Sequence, residues 1–267
     1  WPLLAMALLA HTLALLAMAV VATAAIDLVT MDMSRDSFDD QYQGCGPAMT
    51  AALPDLKRSE FQKNPLFAQV WEEARAEWDE RGSPLSPLAS PDHAIALMAY
   101  TMPALYSDFN AAVRKAGHSR QQYRKNFHFK SLHFLLTQAL VSLRDAQNRQ
   151  CHLVFRGISD VLFQVQPGQS VRFGQFTSTS LSQEIAPKFG RDTIFQVITC
   201  HGVDIRQFSM YPIEDEVLIP PFEIFEVIHV FSKRGRTLIW LQSVRTFSKY
   251  NCEWLIGDAR GDSLGRW

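Results

Sequence analysis

Two textures divide this chain without alternating: apolar residues at helical spacing come first, and short β-branched and aromatic stretches follow. From about Pro47 to Asp145 the pattern is helical. Phe67, Val70, Trp71, Ala74 and Trp78 recur at three-and-four spacing, with Pro65 placed where a first helical turn tolerates it. A Pro- and Ser-rich stretch from Arg81 to Pro91 reads as a loop. Leu132, Leu135, Leu136, Ala139, Leu140 and Leu143 then make one face of a helix from about Lys130 to Arg144. After Cys151, strands are expected at His152 to Arg156, Ile194 to Cys200, Glu216 to Ile219, Glu223 to Phe231 and Thr237 to Val244. Helices first and strands afterwards specify an α+β domain, not a parallel sheet of βαβ units. A bound dinucleotide would therefore need a site other than the Rossmann type, and no Gly-x-Gly-x-x-Gly fingerprint is present.

With 267 residues and 47% hydrophobic content, the chain can bury one sizeable core. Its 26 Lys and Arg against 27 Asp and Glu create no long-range field, which disfavours nucleic acid as a partner. The first 26 residues carry no charged side chain and reach Ala22-Thr23-Ala24, the small-x-small pattern of a cleavage site. This divides the chain into a signal peptide over 1–26, one domain over 27–256 with a helical part over 47–146 and a β-rich part over 151–256, and a polar tail over 257–267. Four cysteines behind such a leader imply oxidising surroundings and two disulfides, for which spacing alone permits three pairings. No Cys-x-x-Cys or His-x-x-x-His spacing suggests a metal. Nor does any Asn-x-Ser/Thr acceptor predict N-glycosylation. Arg260, Gly261 and Asp262 spell the tripeptide that integrins read, but tripeptides recur by chance and no integrin partner is assigned.

Chemistry is concentrated in three segments far apart: Phe155-Arg156-Gly157, Ser178-Thr179-Ser180 and Glu214-Asp215-Glu216. Arginine offers a planar fork of donors for phosphate or carboxylate oxygens. Serine hydroxyls can fix a sugar. Two glutamates two residues apart project to one side of an extended segment, where one can steady a developing positive charge while the other holds a second substrate. Each piece alone has an ordinary reading: a surface ion pair, a half-exposed strand, an acidic turn after Pro212. Their joint order is what points to breaking the glycosidic bond of a dinucleotide.

On these motifs the chain resembles the vertebrate arginine-specific ecto-ADP-ribosyltransferases, which share an Arg, Ser-x-Ser, Glu-x-Glu signature with several bacterial toxins. The likeness extends through Phe38-Asp39-Asp40-Gln41-Tyr42 with Gly44-Cys45, Val154 to Gly157, Phe173 to Ser178, Glu216 to Pro221, and Asn251-Cys252. It implies the fold of that family, an N-terminal helical region followed by two facing β-sheets with an NAD cleft. It also implies the activity: cleavage of NAD, or NADP in its place, at the nicotinamide–ribose bond and transfer of ADP-ribose to arginine side chains of acceptor proteins, without metal.

By the same resemblance Glu216 is the catalytic carboxylate, Arg156 ends a strand and fixes NAD, and Ser178 orients the ribose or Glu216. Glu214 is implied to recognise the acceptor arginine, a role a carboxylate can fill by pairing bidentately with a guanidinium. Tyr100, Gln175 and Ser209 match NAD contacts of the family, whereas Phe189 is read as packing. Cys45 is implied to pair with Cys252 and Cys151 with Cys200. Some relatives exchange a hydrophobic tail for a GPI anchor; the polar end here leads to the expectation of a secreted or extracellular product without a membrane anchor. Two rival readings stay open: an NAD glycohydrolase that uses water as acceptor, and an inactive extracellular binding module.

Overall fold

The computed structural model describes residues 26–256; the leader and the Arg260-Gly261-Asp262 tripeptide lie outside them. Six helices follow a short first strand, β1 (Asp27–Thr30): α1 (Gly46–Lys63), α2 (Pro65–Glu80), α3 (Pro91–Thr101), α4 (Pro103–Ala116), α5 (Arg120–Asn126) and α6 (Lys130–Ala146). In α1 to α4 a proline occupies the first or second position, where its missing N–H removes no helical hydrogen bond. Asn64 caps α2 by accepting from the Phe67 amide at 3.1 Å.

α6 is the central helix, and its whole expected leucine face is buried. Burial extends further, to Ser131, His133 and Thr137, so these polar groups need partners. Glu60 of α1 accepts from the Lys130 and Ser131 amides at 2.6 and 2.9 Å and from the Ser131 hydroxyl at 2.5 Å, placing an anion at the helix N-terminus. His133 contacts Phe38 O through Nε2 at 3.1 Å and the Tyr42 hydroxyl through Nδ1 at 2.9 Å. Burial pushes its pKa down to about 3, so the ring is neutral.

The β-rich part comprises β2 (His152–Ile158), β3 (Val161–Gln164), β4 (Ser170–Val171), β5 (Thr177–Ser180), β6 (Thr193–Thr199), β7 (Val203–Asp204), β8 (Glu216–Ile219), β9 (Glu223–Lys233) and β10 (Arg236–Thr246), with a one-turn helix α7 (Ala186–Phe189) before β6. β1 pairs with β3 in a parallel two-stranded ladder. The other eight strands run β4-β9-β10-β6-β2-β5-β8-β7, with β10 and β6 parallel. At the centre, β2 and β5 share a single pair, Phe155 with Ser180. The sheet therefore parts there into two wings. A core that includes Val154, Phe195 and Val197 of one wing and Val217 and Ile219 of the other fills the space between them. Leu218, alternating on β8, joins the separate core built by the helices. The five strands expected from composition are present, but β1, β3 and the two-residue strands β4 and β7 are too short to show periodicity.

Asp39 and Asp40 tie the two ends of the domain together. Asp39 pairs with the fully buried Arg172 at 2.6 Å and accepts from the Lys249 amide at 2.8 Å. Asp40 accepts from the amides of Tyr42, Cys252 and Glu253. Cys45 is bonded to Cys252, and Cys151 to Cys200, across sequence separations of 207 and 49. In the loop-entropy account each closure contributes about 3 to 5 kcal/mol. Reduction with dithiothreitol is therefore expected to lower the thermal midpoint markedly, and scanning calorimetry with and without reductant checks this.

Candidate active site

A cavity of about 670 Å³ opens where β2 and β5 part. Arg156, Ser178, Glu216, Glu214, Tyr100 and Gln175 all line it, although they come from six separate elements or loops. Arg156 lies inside β2 and not at its end. Its Nη1 donates to Ser178 O at 2.6 Å, a bond that joins the two wings beside their single pair. Among the described residues Nε and Nη2 have no protein partner, which leaves part of the fork for a ligand anion. In the Ser-Thr-Ser segment, the Thr179 hydroxyl donates to Val217 O and that of Ser180 to Glu214 O, both at 2.7 Å. The Ser178 hydroxyl faces the Glu216 carboxyl instead, and its Oγ lies 3.5 Å from the Tyr100 hydroxyl.

Glu216 is 4% exposed at the start of β8. Burial raises its carboxyl above the ordinary value, while the Ser178 and Ser209 hydroxyls pull it back. Glu214 reaches the same cavity by a different route from the one expected. It ends a 3₁₀ turn, Pro212–Glu214, and Asp215 then adopts φ 49° and ψ 46° before β8 begins. The left-handed residue, and not strand alternation, brings the two glutamates to one cavity. Burial also raises the Glu214 carboxyl, with Lys188 opposing.

Ser209, expected among the NAD contacts, lies behind Glu216. It does not line the cavity: its fully buried hydroxyl donates to Glu216 Oε2 at 3.0 Å and accepts from the Tyr211 amide at 3.0 Å. A buried carboxylate needs such a donor, so the residue positions Glu216. Tyr100 lines the cavity, yet its hydroxyl donates to Phe176 O at 3.0 Å and accepts from Asn110 Nδ2 at 3.2 Å. Burial pushes its pKa up to about 12, so it stays neutral. Gln175 Oε1 accepts from Arg114.

Phe189, read from sequence as packing, is 54% exposed and lines the cavity. Gly157 explains its approach: a Cβ there would sit 2.1 Å from Ala186 O and 2.3 Å from Gly190 O, so only glycine lets α7 lie against β2. Three further lining residues were missed, Tyr106, Asn110 and Arg114 of α4. Their spacing of four, a polar stripe on one helical face, was the available signal. Asn110 Nδ2 is committed to the Tyr100 hydroxyl, and its Oδ1 is buried without a partner among the described residues. The partly unpaired guanidinium together with the Ser178 hydroxyl and the two carboxylates suits a polar anionic dinucleotide.

The sequence model of a family described as NAD:arginine ADP-ribosyltransferase matches residues 31–249. The chain is 52% identical over 241 residues to NAD(P)(+)--arginine ADP-ribosyltransferase 2 of Gallus gallus, covering 89% of this chain and 76% of that one. It is 46% identical over 244 residues to the GPI-linked NAD(P)(+)--arginine ADP-ribosyltransferase 1 of Homo sapiens, covering 85% and 75%. Among solved structures, a mutant of the eukaryotic mono-ADP-ribosyltransferase ART2.2 in complex with NAD superposes with a TM-score of 0.73 at 37% identity, covering 84% of this chain and 98% of that one.

Proposed function

The chain belongs to the NAD:arginine ADP-ribosyltransferase family, and from that premise we propose how its cleft cleaves NAD at the nicotinamide–ribose bond and transfers ADP-ribose to arginine side chains of proteins. The observation that carries the reading is the meeting of Glu214 and Glu216 with Arg156 and Ser178 in one cavity.

NAD supplies a pyridinium leaving group that departs without a proton, so the protein's task is orientation and charge stabilisation. Arg156 binds the diphosphate with the unpaired part of its fork. Ser178 orients the ribose, and Glu216 stabilises the positive charge that develops at the sugar carbon. Ser209 holds the Glu216 carboxylate in place. Glu214 grips the incoming guanidinium and takes its proton as the new N-glycosidic bond forms. Phe189 at the mouth offers a flat apolar face for an aromatic ring. NADP is expected to enter the same cleft.

Two disulfides fit an oxidising, extracellular setting. The expected lack of a membrane anchor draws no support from the relatives, since the human protein and its mouse counterpart are named GPI-linked.

The test is an assay with NAD and agmatine. Equal amounts of nicotinamide and ADP-ribosyl-agmatine are expected; nicotinamide with no adduct would show that water is the acceptor. Glu214→Gln is expected to cut adduct formation about 10- to 100-fold while hydrolysis to free ADP-ribose persists, because the neutral amide loses both the ion pair and the base.

A further inference from the structure

Asp215, between the two glutamates, is not part of the cavity lining. Its carboxylate is held by Arg206, whose Nη1 donates to Asp215 Oδ1 at 2.9 Å. The same guanidinium is gripped by Asp204: Nε donates at 2.9 Å and Nη2 at 2.6 Å to Oδ2. Asp204 lies on β7 opposite Val217 of β8. Arg206 thus closes a ring from the edge strand, across the 3₁₀ turn Arg206–Phe208, to the residue that separates Glu214 from Glu216.

The ring matters because Asp215 is left-handed, a conformation that residues with a Cβ adopt at a cost. Left to itself the turn would relax, and Glu214 would swing relative to Glu216. Inside the turn Glu214 N donates to Tyr211 O at 3.0 Å and Asp215 N to Pro212 O at 3.4 Å, and from the β5 side Ser180 Oγ donates to Glu214 O at 2.7 Å and Leu181 N to Asp215 O at 3.0 Å. Arg206 is the restraint from the β7 side. Glu216 does not depend on it: its backbone carbonyl accepts from Ile205 N at 3.0 Å, its amide sits in the β8 ladder, and its side chain is held by Ser209.

We propose that the Asp204–Arg206–Asp215 clasp is a specificity device that sets Glu214 against Glu216 and so decides how much ADP-ribose goes to a guanidinium and how much to water. Arg206 and Asp215 are positioning residues that touch neither substrate. The proposal rests on the arginine-transfer reading above and adds the residues outside the cavity that tune it.

The experiment measures the ratio of ADP-ribosyl-agmatine to nicotinamide, and KM for NAD, in Arg206→Ala and Asp215→Gly, each alone and combined with Glu214→Gln. Glycine removes the carboxylate yet accepts the left-handed backbone freely, so that variant folds even if the arginine variant does not. Both single variants are expected to lower the ratio about five- to twentyfold with KM for NAD within about twofold, since only acceptor geometry is disturbed. With Gln at position 214, Arg206→Ala should change the ratio no further, the signature of action through Glu214. An unchanged ratio in both single variants, or an equal drop in the Glu214→Gln background, would overturn the clasp. Wild-type protein that gives nicotinamide without adduct overturns the arginine reading itself, and is distinguished because it shows before any substitution.

Discussion

Replacing Glu216 with Gln should lower kcat for nicotinamide release by about 10²- to 10³-fold, the usual loss when one preorganised group facing developing charge is removed. The amide keeps the shape and can still meet Ser209 Oγ, so the fold and KM for NAD should change little. What disappears is the negative charge, 4% exposed and unable to be replaced by water. The pH dependence follows from the raised carboxyl. The working form is the carboxylate, so the rate should fall as pH drops through a folded-state value that lies above the ordinary 4.5. For stability the sign is opposite to that of a salt-bridged acid. Below 4.5 the group is protonated in both states and costs nothing. As pH rises through the folded-state value the buried charge must form, and stability is lost. Glu216→Gln should therefore hold or raise the thermal midpoint at neutral pH while activity collapses. Full activity of a folded Gln variant would refute the assigned role, and stopped assays of nicotinamide release together with calorimetry decide it.

Among single substitutions the largest stability effect is expected at Asp39. Its pair with Arg172 is fully buried, at 0% and 1% exposure. Asp39→Ala would leave that guanidinium without a counter-ion, a loss of about 3 to 5 kcal/mol. For a chain of this size the thermal midpoint should fall by roughly 6 to 20 °C. Pairs of this kind can often be exchanged for apolar residues at little cost. This one should resist, because Arg172 also donates to the carbonyls of Met33, Ser34 and Phe247 at 2.8, 3.1 and 3.2 Å. The double variant Asp39→Leu with Arg172→Met should be about as unstable as the single one, each orphaned buried carbonyl costing ~1 to 3 kcal/mol. Recovery to wild-type stability in the double variant would show that the ion pair alone, and not the bracketing of three carbonyls, is what Arg172 supplies.

The Phe38 to Tyr42 motif was part of the family resemblance, yet its acids do not line the cavity. They hold the N-terminal segment to residues 248–253. Such a motif looks functional in one dimension because buried ion pairs and catalytic groups use the same residue types.

Local order is what this sequence determined by itself. Period-3.6 stripes in the first half, β-branched stretches in the second and the absence of alternation settle an α+β domain, because each depends on neighbours a few residues apart. Arg156, Ser178, Glu214 and Glu216 stand out as candidates for a different reason, that their chemistry is uncommon in that order, and they line one cavity. Tertiary structure alone decided how they meet. The single β2–β5 pair opens the cleft, the left-handed Asp215 turns Glu214 into it, Gly157 admits α7 and Phe189, and Ser209 donates to Glu216. None of these follows from periodicity, because each is a contact whose energy exists only once distant segments have packed and the buried polar groups must find partners.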